Sequence, residues 1–227
     1  MQDLPCRVAQ AHRLCRVFRG QIPDSQRHRL GACATNLLVQ AKLYYRRNLP
    51  HWQPPGATLF VTWRLYGSLP KHVLLALQEK KQWKEGRRFA LADGELDRGS
   101  TGPLWLKDPR IAKCVVESLR RGGSELQHYE LHAYVVMANH VHALLTPKIP
   151  LAAMMRSMKR KTAATANQML GRSGQRFWQD ESFDHWCRNE AEFARIKQYI
   201  EWNPVKAGLV KRPDDWPWSS ASGSTGS

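Results

Sequence analysis

Tyr134-Val135-Val136-Met137-Ala138-Asn139-His140-Val141-His142-Ala143-Leu144-Leu145 reads as two apolar runs folded back on a tight turn. β-Branched and aromatic residues fill both arms, the composition of strands rather than of a helix. Along the first arm Tyr129, Leu131, Ala133, Val135 and Met137 alternate; along the second, His140, His142 and Leu144. Side chains two apart share a face, so His140 and His142 stand about 7 Å apart on one side of the strand. Their apolar flanks point them into a buried surface, where an imidazole needs a partner.

Working outward, Pro54-Pro55-Gly56 precedes Thr58 to Leu65, a third strand bounded by turn formers. Leu69-Pro70 opens a helix running to about Glu85, with Val73, Leu74, Leu77 and Lys81 at helical spacing. Gly86 to Gly102 is polar and glycine-rich and is expected to be a loop. A helix follows Pro109, with Ile111, Val115 and Leu119 on one stripe, ending near Gly122-Gly123. Beyond the hairpin, Leu151, Met154, Met155 and Met158 mark a helix whose other face carries Arg156, Lys159, Arg160 and Lys161. Phe177 to Trp186 supplies a short extended piece. Glu190 to Asn203 is a helix facing the core through Phe193, Ile196 and Ile200, and Pro204 is expected to stop it. Strand, helices, two strands, helix, extended piece, helix is an α+β order with an antiparallel sheet, and it suits a ferredoxin-like plan. Residues 1–41 hold Arg, His and Cys without a sustained period, and are expected to be a flexible extension. The domain is expected to span 42–220, and the Ser/Gly-rich residues 221–227 to be disordered.

Lys and Arg number 35 against 19 Asp and Glu, a formal charge of +16 that favours a polyanionic partner, nucleic acid before a membrane surface. Apolar runs fall short of a bilayer span, and Met1 to Gly20 contains no apolar signal core. The five cysteines are odd in number and form no Cys-x-x-Cys, as in a reduced, cytoplasmic protein. Cys6, Cys15 and Cys33 with His12 and His28 fit no ordinary zinc-finger spacing.

Two imidazoles on one strand face can hold a divalent metal, although among nine histidines the same pattern also arises as a hydrogen-bonded pair. Tyr199 occupies a helix on which a tyrosine ordinarily packs its ring at the core edge. Asn203 lies one turn further on the same face, where its amide oxygen suits a third metal ligand; an Asn before Pro204 equally suits a helix C-terminus. Arg156, Lys159, Arg160, Lys161 and Arg195 suit phosphates, and Arg176, Phe177, Trp178, Gln179 and Trp186 interleave charge and polarity with rings on which unpaired bases stack. Solvated helix faces and core packing are the ordinary uses of the same residues, and core packing accounts for at least half of the nine tryptophans.

Four stretches together carry a specific resemblance: Tyr44 to Trp52, Val135 to Leu145, Arg176 to Gln179 with Phe183-Asp184-His185, and Tyr199 to Val210 running on to Asp215-Trp216-Pro217-Trp218-Ser219-Ser220. In this order the chain resembles the REP-associated tyrosine transposases, within the single-tyrosine insertion-sequence transposases of the HUH superfamily. The resemblance implies His140 and His142 as the metal-binding pair, Asn203 as a further ligand and Tyr199 as the nucleophile. It implies Mg²⁺ or Mn²⁺ as cofactor and no organic cofactor. The implied reaction cleaves and rejoins single-stranded DNA near REP-like hairpins through a 5′-phosphotyrosine bond. A monomer, with a dimer as the alternative, in the cytoplasm, associated with the nucleoid and not with a membrane, completes the expectation. Ala138 departs from the Pro common before Asn139 in relatives, a change the turn tolerates. A non-catalytic DNA-hairpin-binding regulator on the same fold, or an RNA-binding module, are the readings from other functional classes.

Overall fold

The computed structural model describes residues 44–46, 50–52, 54, 56–80 and 82–223. The extension expected over residues 1–41 lies outside the described residues. A short antiparallel pair, β1 (Tyr44–Arg46) and β2 (Pro50–Trp52), precedes the main sheet. That sheet has four strands: β3 (Leu59–Arg64), β4 (Tyr129–Val136), β5 (His140–Pro147) and β6 (Phe183–Trp186). Their order is β4-β5-β3-β6, with every neighbouring pair antiparallel. Helices α1 (Lys71–Glu79), α2 (Glu85–Arg98) and α3 (Pro109–Ser124) lie between β3 and β4; α4 (Leu151–Met169) links β5 to β6; α5 (Glu190–Lys206) follows. The first strand pairs with the third and the last joins its free side, which is the ferredoxin-like α+β plan.

Both faces of the sheet are covered, so its strands read as apolar runs rather than strict alternation. On one face Val61, Trp63, Val141, Ala143 and Leu145 pack against Ile111, Val115 and Leu119 of α3 and Met154 and Met158 of α4. On the other, Phe60, Val135 and Leu144 pack against Phe89 of α2 and Ile196 and Ile200 of α5. His140 and His142 share this second face with Leu144, which decides what surrounds them. The alternation expected along β4 breaks at a bulge between Leu131 and Ala133. Tyr129 therefore belongs to the first core while Ala133, Val135 and Met137 belong to the second.

Four local expectations are corrected. Gly86 to Gly102 is mostly helix. Glu85 in the first turn and Arg98 in the last suit the helix dipole, and Gly99 closes α2 in the left-handed region at φ 56°. The helix expected to run on from Pro70 to Glu85 ends instead at Glu79, before α2 begins. Pro204 does not stop α5, which continues to Lys206. The proline lacks only its own N–H, and the Ala207 amide still reaches the Asn203 carbonyl at 2.9 Å. At the chain end Ser220–Gly223 forms a 3-10 turn with Ala221 only 9% exposed, so order extends into the segment expected to be a disordered tail. Residues 224–227 lie outside the described residues. The preceding segment covers the β4 edge, with the Val136 amide donating to the Trp218 carbonyl at 2.8 Å.

At Gly122, α3 comes close against β4. A Cβ there would lie 2.3 Å from the Tyr129 hydroxyl, which donates to the Leu119 carbonyl at 2.7 Å. Gly122→Ala should destabilise the fold by about 1–3 kcal/mol, since buried Tyr129 must give up its rotamer or that bond. Urea unfolding measures this; an unchanged midpoint would show that the helix can back away freely.

Candidate active site

β5 delivers both histidines to one spot. His140 and His142 are 0% exposed, and their Nε2 atoms lie 3.0 Å apart. Each ring is fixed from behind. The Thr62 hydroxyl, directly across on β3, meets His142 Nδ1 at 2.7 Å, and the Phe60 ring stacks on the same imidazole with centroids 5.5 Å apart. The Asn139 Oδ1 meets His140 Nδ1 at 2.7 Å while its Nδ2 donates to the Leu96 carbonyl at 3.1 Å. A carbonyl only accepts, so it fixes which end of the amide faces it. The amide oxygen must then face His140 Nδ1, which therefore carries the proton. Neutral His140 presents a bare lone pair at Nε2.

α5 presents Tyr199, Asn203 and Lys206, spaced i, i+4, i+7 along one stripe. Its N-terminus is set by Asn189, whose side chain accepts from the Glu192 amide at 2.9 Å. The Tyr199 ring lies 5.6 Å from that of His142. Asn203 is wholly buried, and among the described residues neither its amide nitrogen nor its oxygen makes a hydrogen bond of ordinary geometry. Such a group costs stability unless something else satisfies it.

α2 closes the site with two carboxylates that the sequence reading missed. Asp93 is 3% exposed; its Oδ1 lies 3.3 Å from His142 Nε2 and its Oδ2 accepts from the Tyr199 hydroxyl. Asp97 Oδ1 lies 3.8 Å from His140 Nε2, and its Oδ2 accepts from Lys206 Nζ at 2.7 Å. Lys206 Nζ is also 3.7 Å from Asp93 Oδ2. The buried face of α2 runs Phe89, Asp93, Leu96, a helical stripe with a charge inside it. That spacing was the available signal, obscured by Gly86 and Gly94.

The charges explain the protonation states. Burial, then His142, pushes the His140 imidazole well below its usual range, leaving it neutral at neutral pH. Burial, then Asp93 and Asp97, pushes the Tyr199 phenol well above its ordinary value, so it keeps its proton in this arrangement. Burial and the neighbouring Asp93 raise Asp97 to about 6 despite Lys206. Burial works against an ionised Asp93, but His142 and Lys206 outweigh it and hold the carboxyl low.

Asp93, His140 and His142 offer ligand atoms within 4.8 Å of one another. Two imidazoles with a carboxylate, and a buried amide nearby on α5, suit Mn²⁺ or another borderline divalent ion, and accept Mg²⁺ less readily. The residues present therefore fit a divalent cation. Beside them Arg64, paired across the strands with His140, is half-buried, and burial lowers its guanidinium to about 10.

The expected DNA-binding residues divide. Arg156, Lys159, Arg160, Arg176, Trp178 and Gln179 do line one groove, between α4 and residues 175–182. The α4 helix covers the sheet face opposite the histidines. Lys159 is committed to the Gln179 and Asp180 carbonyls, at 2.9 and 3.1 Å. Trp178 cannot offer its ring to a base as placed here: it is 5% exposed, packs on Trp63 and Phe177, and donates Nε1 to the Thr162 hydroxyl at 2.9 Å. Tyr66 is the exposed ring nearby, with the Arg176 guanidinium 5.0 Å from its centroid. Lys161 is exposed on α4, and Arg195 is exposed on α5, away from this groove.

Residues 109–203 match the sequence model of the family described as "Transposase IS200 like". The REP-associated tyrosine transposase of Escherichia coli (strain K12) is 29% identical over 97 residues, 40% of this chain and 54% of that protein. The match thus spans about half the length of that curated relative. A solved REP-associated tyrosine transposase, bound to a REP hairpin, aligns with TM-score 0.46 and 22% identity over 78% of this chain and 81% of that one. No helix among the described residues is long and apolar enough to cross a membrane.

Proposed function

We propose that the chain is a transposase of the IS200-like family, whose sequence model its residues 109–203 match, and that it cleaves and rejoins single-stranded DNA beside REP-like hairpins. The observation that carries this reading is that Tyr199, with buried Asn203 one turn further along α5, lies against the buried pair His140 and His142. Residues 42–220 form the catalytic domain of this proposal, acting as a monomer in the cytoplasm, associated with the nucleoid. The groove at Arg156, Arg160 and Arg176 tracks DNA phosphates, while Lys159 and Trp178 hold its walls.

Mg²⁺ or Mn²⁺ held by His140, His142 and Asn203, with Asp93 within reach, would polarise the scissile phosphate and offset its developing charge. The chain's own residues do the rest. Tyr199 oxygen forms a bond to phosphorus, and the bond from phosphorus to the 3′ oxygen breaks. The phenol loses its proton, the departing 3′ oxygen gains one, and a 5′-phosphotyrosine remains. Attack on that ester by a 3′-hydroxyl reverses the step and joins new ends. The ester conserves the bond energy, so no nucleotide is consumed. Asn139 and Thr62 hold the imidazoles in orientation through their Nδ1 atoms.

Incubation with a 5′-extended hairpin oligonucleotide and Mn²⁺ should give a protein–DNA adduct stable to denaturing electrophoresis. Peptide mass spectrometry should map it to Tyr199, and EDTA should prevent it. Hairpin binding without any adduct, insensitive to Mn²⁺, is the outcome the regulator reading expects instead.

A further inference from the structure

Lys206 is the third member of the α5 stripe, two turns beyond Tyr199. A lysine at the end of a helix ordinarily extends into solvent. This one turns inward. Its side chain is 15% exposed, and Nζ lies 2.7 Å from Asp97 Oδ2 and 5.2 Å from the centroid of the Tyr199 ring. The Asp93 oxygen that accepts the Tyr199 hydroxyl lies 3.7 Å from the same ammonium, and the other Asp93 oxygen faces His142 Nε2 at 3.3 Å. One anionic group is thus ringed by the phenol, the ammonium and an imidazole.

We propose that Lys206 is a catalytic residue, the cation that meets the scissile phosphodiester, and that Asp97 is the positioning residue that holds it there. The inference rests on the transposase reading above. The Asp93 carboxylate stands in for a non-bridging phosphate oxygen: both are anionic acceptors, and both fit between Tyr199 and Lys206. With His140, His142 and Asn203 wholly buried, a DNA strand reaches them only when α2 shifts and Asp93 yields this place. Lys206 belongs to α5 with the nucleophile, so it stays beside Tyr199 when the carboxylate leaves. Its charge then falls on the phosphate whose negative charge grows during attack, where a fixed cation lowers the barrier most. A compact ammonium on a flexible stem suits a partner exchanged between a carboxylate and a phosphate.

The test is single-turnover adduct formation with saturating hairpin oligonucleotide and Mn²⁺. Lys206→Gln should slow it by about 100-fold, the usual loss for one electrostatic donor. Lys206→Arg should recover most of that rate, and Asp97→Asn should fall between Lys206→Gln and wild type. Dissociation constants for the oligonucleotide and for Mn²⁺, the latter read by electron paramagnetic resonance, should change less than about threefold in all three. Wild-type rates in Lys206→Gln overturn the proposal and leave the transposase reading intact. Equal losses in Lys206→Gln and Lys206→Arg, tracking a lowered melting temperature, reduce Lys206 to a structural tie between α5 and α2. Absence of any adduct in the wild-type protein removes both readings together.

Discussion

Tyr199→Phe should abolish the covalent adduct, a loss on the order of a million-fold, while hairpin binding stays within a few-fold of wild type. The two halves of that result have separate causes. Phenylalanine keeps the ring that packs against Phe60 at 6.0 Å and against His142 at 5.6 Å, so the second core is undisturbed. What disappears is one oxygen, the atom proposed to form the bond to phosphorus. Its hydrogen bond to Asp93 goes with it, leaving that carboxylate to His142 and Lys206. Because burial and the two carboxylates keep the phenol protonated, the oxygen contributes no charge to DNA affinity in this arrangement. An adduct of undiminished yield in Tyr199→Phe would place the nucleophile elsewhere. Binding that collapses together with cleavage would point to a role for the hydroxyl in holding DNA.

His142→Ala should lower adduct formation by about three orders of magnitude, and it should do so through the metal. The imidazole is held by Thr62 from one side and stacked by Phe60 from another, so its Nε2 is aimed rather than free to drift. Alanine removes that donor and leaves Asp93 Oδ1 without its imidazole neighbour. Mn²⁺ titration should show the affinity falling in step with the rate, and excess Mn²⁺ should restore part of the activity. Undiminished Mn²⁺ affinity would show that the ion is held without this imidazole. The melting temperature in EDTA separates the lost ligand from simple unfolding.

How much of the site was legible depends on whether its geometry is local. His140 and His142 share a face because strand side chains repeat every two residues. Tyr199 and Asn203 share one because a helix repeats every 3.6. Those relations hold wherever the strand and helix go. Lys206 obeys the same helical spacing, but nothing local marks it, since its partner Asp97 lies 109 residues away and only the fold brings them together. The α2 helix was hidden by its own composition. Gly86, Gly94 and Gly99 argued for a loop, and the stripe Phe89, Asp93, Leu96 carries a charge where a sequence pattern asks for an apolar residue.

Trp178 shows the opposite failure. Its setting among Arg176, Phe177, Gln179 and Trp186 suggests a ring offered to bases, but the tryptophan pairs across from Leu65 and turns into the core against Trp63. The bulge at His132 is another case, because strict alternation predicts one face for all of β4 and a single extra residue reassigns Tyr129.

Sequence by itself therefore determined the order of the main-sheet strands and of the helices other than α2, the paired imidazoles, the tyrosine with its amide one turn on, and the excess of positive charge. Each follows from backbone periodicity or composition, which need no knowledge of distant neighbours. Tertiary structure alone decided that α2 brings Asp93 and Asp97 over the histidines, that Lys206 turns inward, and that Trp178 is core. Those outcomes depend on which surfaces the sheet leaves to be buried, and on electrostatic contacts between residues far apart in the chain.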